Sequence, residues 1–244
     1  MNYANYKRNH AVRPEREQAL NEFLNASIVC NGKTELHKLK YATNSNSEDA
    51  LTWSCFDRLR NFPKENINIA LNEIFEDAFG DFKQDKKHVP APFSFADEQN
   101  VEIHIGKNYT ATSVNESTEV DASIETKGKL VFFEAKLYSK VSIADEKHKH
   151  DQIARKLRVG LDVATASNRE FYFIFLDIAP CMEILRYGEK KQMSARKFLY
   201  YRNHPHNLRK QLTDIPNQNI EQISQNMGWL TWASLFKTLL RVYV

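Results

Sequence analysis

A chain of 244 residues, 42% hydrophobic and 27% charged, has the make-up of a globular domain with a sizeable core, which excludes wholesale disorder. Seven glycines and seven prolines exclude collagen-like and low-complexity classes. A net charge of +3 is too small to prove a polyanionic partner, so the distribution of charge matters more than its total.

Cys30, Cys55 and Cys181 are far apart and form no CxxC pair. This argues against a zinc ribbon or disulfide framework and leads us to expect reduced thiols in a cytoplasmic protein. The first ten residues lack an apolar core, so no export signal is expected. The longest strongly apolar run, Phe171 to Leu176, is closed by Asp177 and is too short to cross a membrane.

In chain order, Leu20, Phe23, Leu24 and Ile28 recur at helical spacing and predict a helix over Pro14 to Ile28. Thr43 to Ser47 reads as a loop ending in an N-cap. A helix over Glu48 to Arg60 follows, stopped by Pro63, and another over Glu65 to Phe79 with Gly80 as its stop. A charged segment, Asp81 to His88, leads into a Pro-containing connector that ends at Phe95. The period then changes to two. Val101, Ile103 and Ile105 predict one strand, and Val120, Ala122 and Ile124 a second. Lys127-Gly128-Lys129 marks a hairpin turn, and Leu130 to Tyr138 a third strand. A helix is expected over Asp145 to Ala166, and a nearly all-apolar, central strand over Glu170 to Ile178. A last helix, capped by Thr231, carries Trp232, Leu235, Leu239 and Leu240. Three strands before a helix predict an α/β fold with a mixed central sheet flanked by helices, in one domain over 1–244. Its core is expected at about 47–180, with a basic, aromatic extension at about 181–244.

Chemistry concentrates in the second and third strands. Glu134 and Lys136 are two apart, so their side chains leave the same face of an otherwise apolar strand. Asp121 lies across the hairpin. Two acids meeting there repel unless a cation sits between them. A hard divalent cation such as Mg²⁺ or Mn²⁺ prefers such oxygen ligands, and an adjacent lysine can orient water and offset developing charge.

Val120-Asp121, twelve intervening residues and Glu134-Ala135-Lys136 resemble the PD-(D/E)XK nuclease superfamily, with Val120 where the family's name has proline. The resemblance covers roughly Glu48 to Ile178 and implies a restriction-endonuclease-like αβββαβ core with helical additions at both ends. It implies that Asp121 and Glu134 are metal ligands and Lys136 the catalytic lysine. Glu48 matches the acid that many members place on the first core helix, which implies metal assistance. Gln152-Ile153-Ala154-Arg155 looks like the Gln-x-x-Arg pair of some members, implying roles for Gln152 at the active site and Arg155 on nucleic acid. The activity implied is Mg²⁺- or Mn²⁺-dependent hydrolysis of DNA phosphodiester bonds, most simply by an endonuclease. The alternatives are an RNA or structure-specific nuclease, and a nucleic-acid-binding or assembly subunit that keeps the fold without cutting. A homodimer is left open.

His148, His150 and Asp151 resemble a metal signature, but residues two apart on a helix diverge, so a solvated helix face is expected. Arg186 to Lys210 holds eight Lys or Arg residues against one acid, Glu189, with Tyr187, Phe198, Tyr200 and Tyr201 interleaved. Arg202, Arg209 and Lys210 are candidate phosphate contacts, and the aromatics serve either as stacking surfaces or as core. Trp229 and Trp232 read as core anchors. No Walker A or GxGxxG motif is present, so no nucleotide cofactor is expected.

Overall fold

The alternating segments form the sheet and the helical ones cover it. The computed structural model describes residues 6–26, 28–30, 33–80, 92–113, 116–144 and 149–243. The charged segment 81–88, the connector's start at 89–91, the expected helix start at Asp145 and His148 lie outside these residues. The elements run α1 (Glu17–Asn25), β1 (Ile28–Cys30), β2 (Lys33–Glu35), α2 (His37–Ala42), α3 (Glu48–Arg60), α4 (Lys64–Gly80), β3 (Glu102–Ala111), β4 (Glu116–Glu125) and β5 (Lys129–Ala135). They continue with α5 (Gln152–Ala166), β6 (Glu170–Asp177), α6 (Cys181–Ile184), α7 (Glu189–Arg202), α8 (Pro205–Gln211), α9 (Asn217–Gln225), β7 (Met227–Thr231) and α10 (Trp232–Tyr243).

The large sheet has the order β3-β4-β5-β6-β7; β3, β4 and β5 are antiparallel neighbours, and β6 and β7 join parallel. The architecture is therefore mixed α/β, a five-stranded mixed sheet between helices. Alternation sorts the side chains by face. Phe133 of β5 meets Phe56 of α3, and Tyr172 of β6 meets Phe75 of α4. On the opposite face Phe132 packs on Phe171, and Phe175 lies between Phe198 of α7 and Trp229. Helix α5 lies on this second face, so close that a Cβ on Gly160 would overlap the Phe171 ring.

Several elements depart from expectation. The first helix is shorter: Pro14–Arg16 form a 3-10 turn, α1 ends at Asn25, and Ile28 pairs in β1. Helix α5 begins at Gln152 because the Asp151 carboxylate caps it, accepting from the N–H groups of Ile153 and Ala154 at 3.1 and 3.0 Å. The expected solvated face is thereby overturned: His150 and Asp151 are buried, His150 against Glu116 and the Gln211 carbonyl, and Asp151 accepts from the Tyr201 hydroxyl. The stretch after residue 180 is no appendage. It adds β7 to the sheet and places Trp229, Phe198, Tyr201 and Leu235 in the main core. The short strand Met227–Thr231 carries no alternation, because both its faces are covered. Ser47 and Thr231 cap α3 and α10 as expected, accepting from the N–H groups of Ala50 and Ser234.

The α5 contact gives a stability test. Gly160→Ala gains helix propensity, but the methyl must push Phe171 out of the core. The expected result is a net loss of about 1–3 kcal/mol in chemical denaturation, and an unchanged or raised stability would show that α5 does not pack this tightly.

Candidate active site

Strand β5 ends in Glu134-Ala135 and then leaves the sheet, and side chains take over the pairing there. Ala122 pairs with Phe133, and the next step of that antiparallel register sets Asp121 opposite Glu134 on the α5 face. The Asp121 carboxylate accepts the Ala135 N–H at 2.7 Å. Two residues on, Glu48 Oε1 accepts from the N–H groups of Leu137 and Ser139 at 2.8 and 3.2 Å. The strand expected to reach Tyr138 therefore ends at Ala135, since carboxylates replace the neighbouring strand as acceptors. Lys136 still donates its N–H to the Leu176 carbonyl, and its own carbonyl accepts from the Trp232 indole at 3.0 Å.

Four of the expected site residues thus converge. Glu134 is 0% exposed. Its Oε1 lies 2.7 Å from Lys136 Nζ, which is also 3.9 Å from Glu48 Oε2. Its Oε2 contacts the ammonium of Lys156, which reaches in from α5 and stands 3.6 Å from Asp121 Oδ2. Asp121, Glu48, Gln152, Arg155 and Lys156 line a cleft of about 920 Å³ over the end of β4. Gln152 holds the chain entering α5, its amide oxygen accepting from the Ser142 N–H at 3.2 Å. Two guanidinium nitrogens of Arg155, Nε and Nη1, have no hydrogen-bond partner among the described residues. At the rim, Lys38 of α2 bridges Asp49 and Glu119 at 2.9 and 2.5 Å, and Tyr138 stands 66% exposed.

The basic segment is placed otherwise. Arg202 donates from Nε to the Met227 carbonyl, and burial pulls its pKa down to about 10. Arg209 and Lys210 are exposed on α8 and do not line the cleft. Phe198 and Tyr201 are core, while Tyr187 and Tyr200 are exposed.

Electrostatics divides the facing acids. Burial works against the Asp121 carboxylate, but the Lys156 and Lys136 ammoniums and the Ala135 N–H prevail and hold its pKa below the ordinary value. Burial and the Asp121 charge push Glu134 up against the pull of the two lysines. Burial would lower Lys136, but Glu134, Asp121 and Glu48 outweigh it and keep the ammonium charged. Beside this group, at the end of β6, burial pushes the Asp177 carboxyl up to about 6 despite its ion pair with Lys191 at 2.5 Å. Lys191 also donates to the Leu137 carbonyl, so it ties α7 to the backbone that carries the site.

Lys156 is absent from the expected set, yet it stands at its centre. The signal was available: positions 153, 156, 157, 160 and 164 share the face of α5 turned to the sheet, and a lysine on a buried helix face demands acids opposite it. Among the described residues no group of three or more His, Cys, Asp and Glu side chains is arranged to hold a metal. The donor chemistry nevertheless suits a hard cation. Two carboxylates face each other, Asp121 on the cleft and Glu134 buried behind it, and the oxygens of Glu134 meet ammoniums without hydrogen-bond geometry. The cation between them here is Lys156.

Asp177 gives a pH test. Its folded pKa of about 6 lies above that of an unfolded aspartate, so between about pH 4 and pH 6 the native state holds a proton that the unfolded chain releases. Its contribution is most favourable below that window and declines as pH rises through it. Asp177→Asn is therefore expected to gain about 1–3 kcal/mol relative to the parent between pH 4 and pH 7. Urea unfolding of both proteins at the two pH values measures this, and a constant difference would refute it.

No family model, curated protein or solved structure matches this chain, and among the described residues no helix is long and apolar enough to cross a membrane.

Proposed function

We propose that the protein is a metal-dependent nuclease that hydrolyses phosphodiester bonds, with DNA as its first candidate substrate. One observation carries this reading: Asp121, which lines an open cleft, faces the buried Glu134 behind it, with the Lys136 ammonium 2.7 Å from Glu134. The order α3-α4-β3-β4-β5-α5-β6 supports it as well, since apart from the extra helix α4 between the helix of Glu48 and β3 it follows the order that the PD-(D/E)XK resemblance implies.

Asp121 and Glu134 would hold a divalent cation, which supplies Lewis-acid polarisation of the phosphoryl group and activation of water. Lys136, fixed between Glu134 and Glu48, orients the attacking water and offsets charge developing on phosphate. Glu48 positions that lysine and holds the turn after β5 through two N–H groups. Arg155 lines the same cleft, and its guanidinium, with Nε and Nη1 buried and unpartnered among the described residues, would turn to meet a phosphate oxygen there, while Gln152 fixes the start of the helix that carries it. The exposed Arg209 and Lys210, which do not line the cleft, would meet flanking backbone phosphates.

A second reading, a nucleic-acid-binding subunit that does not cut, draws on a different observation. Glu134 is sealed from solvent and already neutralised by two lysines. Incubation with linear duplex, circular duplex and single-stranded DNA and with RNA, in Mg²⁺, Mn²⁺ or EDTA, separates the readings. Cleavage is expected with either metal and none in EDTA. Lys136→Ala should lower the rate by about 10²-fold or more while Mn²⁺ binding persists. Cleavage of RNA alone would reassign the substrate. Binding without cleavage of any of the four would favour the non-cutting subunit.

A further inference from the structure

We infer that Lys156 is an internal cation that competes with the divalent metal: in the metal-free protein its ammonium holds Asp121 and Glu134 together, and metal entry displaces it into the cleft. This rests on the proposed nuclease site. Lys156 is only 2% exposed, and its ammonium contacts Glu134 and lies 3.6 Å from Asp121. Those are the two carboxylates a metal requires. An ammonium and a divalent cation repel, and they cannot use the same oxygens together.

The two lysines of the site are not equivalent. Lys136 stands on the Glu48 side of Glu134, and its backbone is fixed at both the N–H and the carbonyl. It can keep its place when the pair of acids takes a metal. Lys156 is the lysine that lies on both members of that pair. It also lines the cleft together with Gln152 and Arg155 of the same helix, so its displaced ammonium has a polar space to enter. A flexible four-carbon stem allows that movement without shifting α5. In the cleft the ammonium would stand beside Arg155, where a phosphate enters. Metal binding would thus also supply a second positive group to the substrate.

The experiment compares the parent with Lys156→Met and Lys156→Arg. It measures the melting temperature in EDTA and the Mn²⁺ affinity by calorimetry. Lys156→Met should melt about 5 °C or more lower in EDTA, because it leaves the facing acids without their bridging charge. It should bind Mn²⁺ about tenfold or more tightly than the parent, and gain correspondingly more stability from Mn²⁺. Lys156→Arg, which keeps the charge, should stay near the parent in both. If Lys156→Met does not fold in EDTA, Mn²⁺ must restore it. Failure to do so would overturn the proposal. Parent-like Mn²⁺ affinity in Lys156→Met would also overturn it and leave the metal site standing. No Mn²⁺ binding by either protein would instead bring down the metal site itself, and the competition with it.

Discussion

Glu134 governs the arrangement around it. It is a carboxylate with no solvent exposure, in the middle strand of the sheet and directly opposite a second acid. A buried charge is tolerated only where partners surround it, and each neighbouring element supplies one. Strand β5 contributes Lys136 two residues on. Helix α5 contributes Lys156. Helix α3 contributes Glu48, which steadies Lys136 and holds the turn at 137–139. A second tier repeats the device, with Asp177 at the end of β6 paired to Lys191 of α7, and Lys191 reaching back to the Leu137 carbonyl. The end of the parallel half of the sheet is thereby fixed by charge, while further back β5 and β6 are fixed by the packing of Phe132 on Phe171 and of Phe171 on Gly160 of α5.

The strands were legible because one face of each is distinct from the other or because both are apolar. Ile103, Val120, Ala122, Ile124 and the run from Phe171 to Leu176 announced themselves in this way, and the register brought Asp121 and Glu134 together as the spacing implied. What stayed hidden was decided by contacts distant in sequence. The five residues of β7 have no pattern of their own and become a strand because β6 and the core on both faces receive them. The late start of α5 depends on one capping aspartate, Asp151, that composition alone cannot distinguish from its charged neighbours. Lys156 was overlooked for a related reason. An apolar periodicity marks a buried face, and a single charged residue on that face, which the periodicity does not register, is one that must find acids opposite it.

The basic segment shows the converse. Eight cations in twenty-five residues suggested a nucleic-acid surface, but folding gives them different tasks. Lys191 neutralises Asp177, Arg202 caps the Met227 carbonyl, and Lys197 pairs with Asp151. Only part of the run remains on the surface. Local charge density says that cations are present, and the positions of buried carbonyls and carboxylates decide how many are left for a partner.

Stability alone does not account for the central cluster. Breaking a buried ion pair by removing one member is costly, yet replacing the whole set with apolar side chains of similar volume is often neutral or stabilising. A sheet already covered by Phe56, Phe75, Phe175 and Trp229 could have closed its end in that way. Instead, two acids and two lysines meet beneath an open cleft, and the Arg155 guanidinium has two nitrogens without partners among the described residues. Unpartnered guanidinium nitrogens on a residue that lines a polar cleft, and facing acids bridged by a buried ammonium, are both arrangements open to completion by a ligand. On the proposed function an anion would satisfy the first and a cation the second, as a nucleic-acid phosphate arriving with a divalent metal would do together.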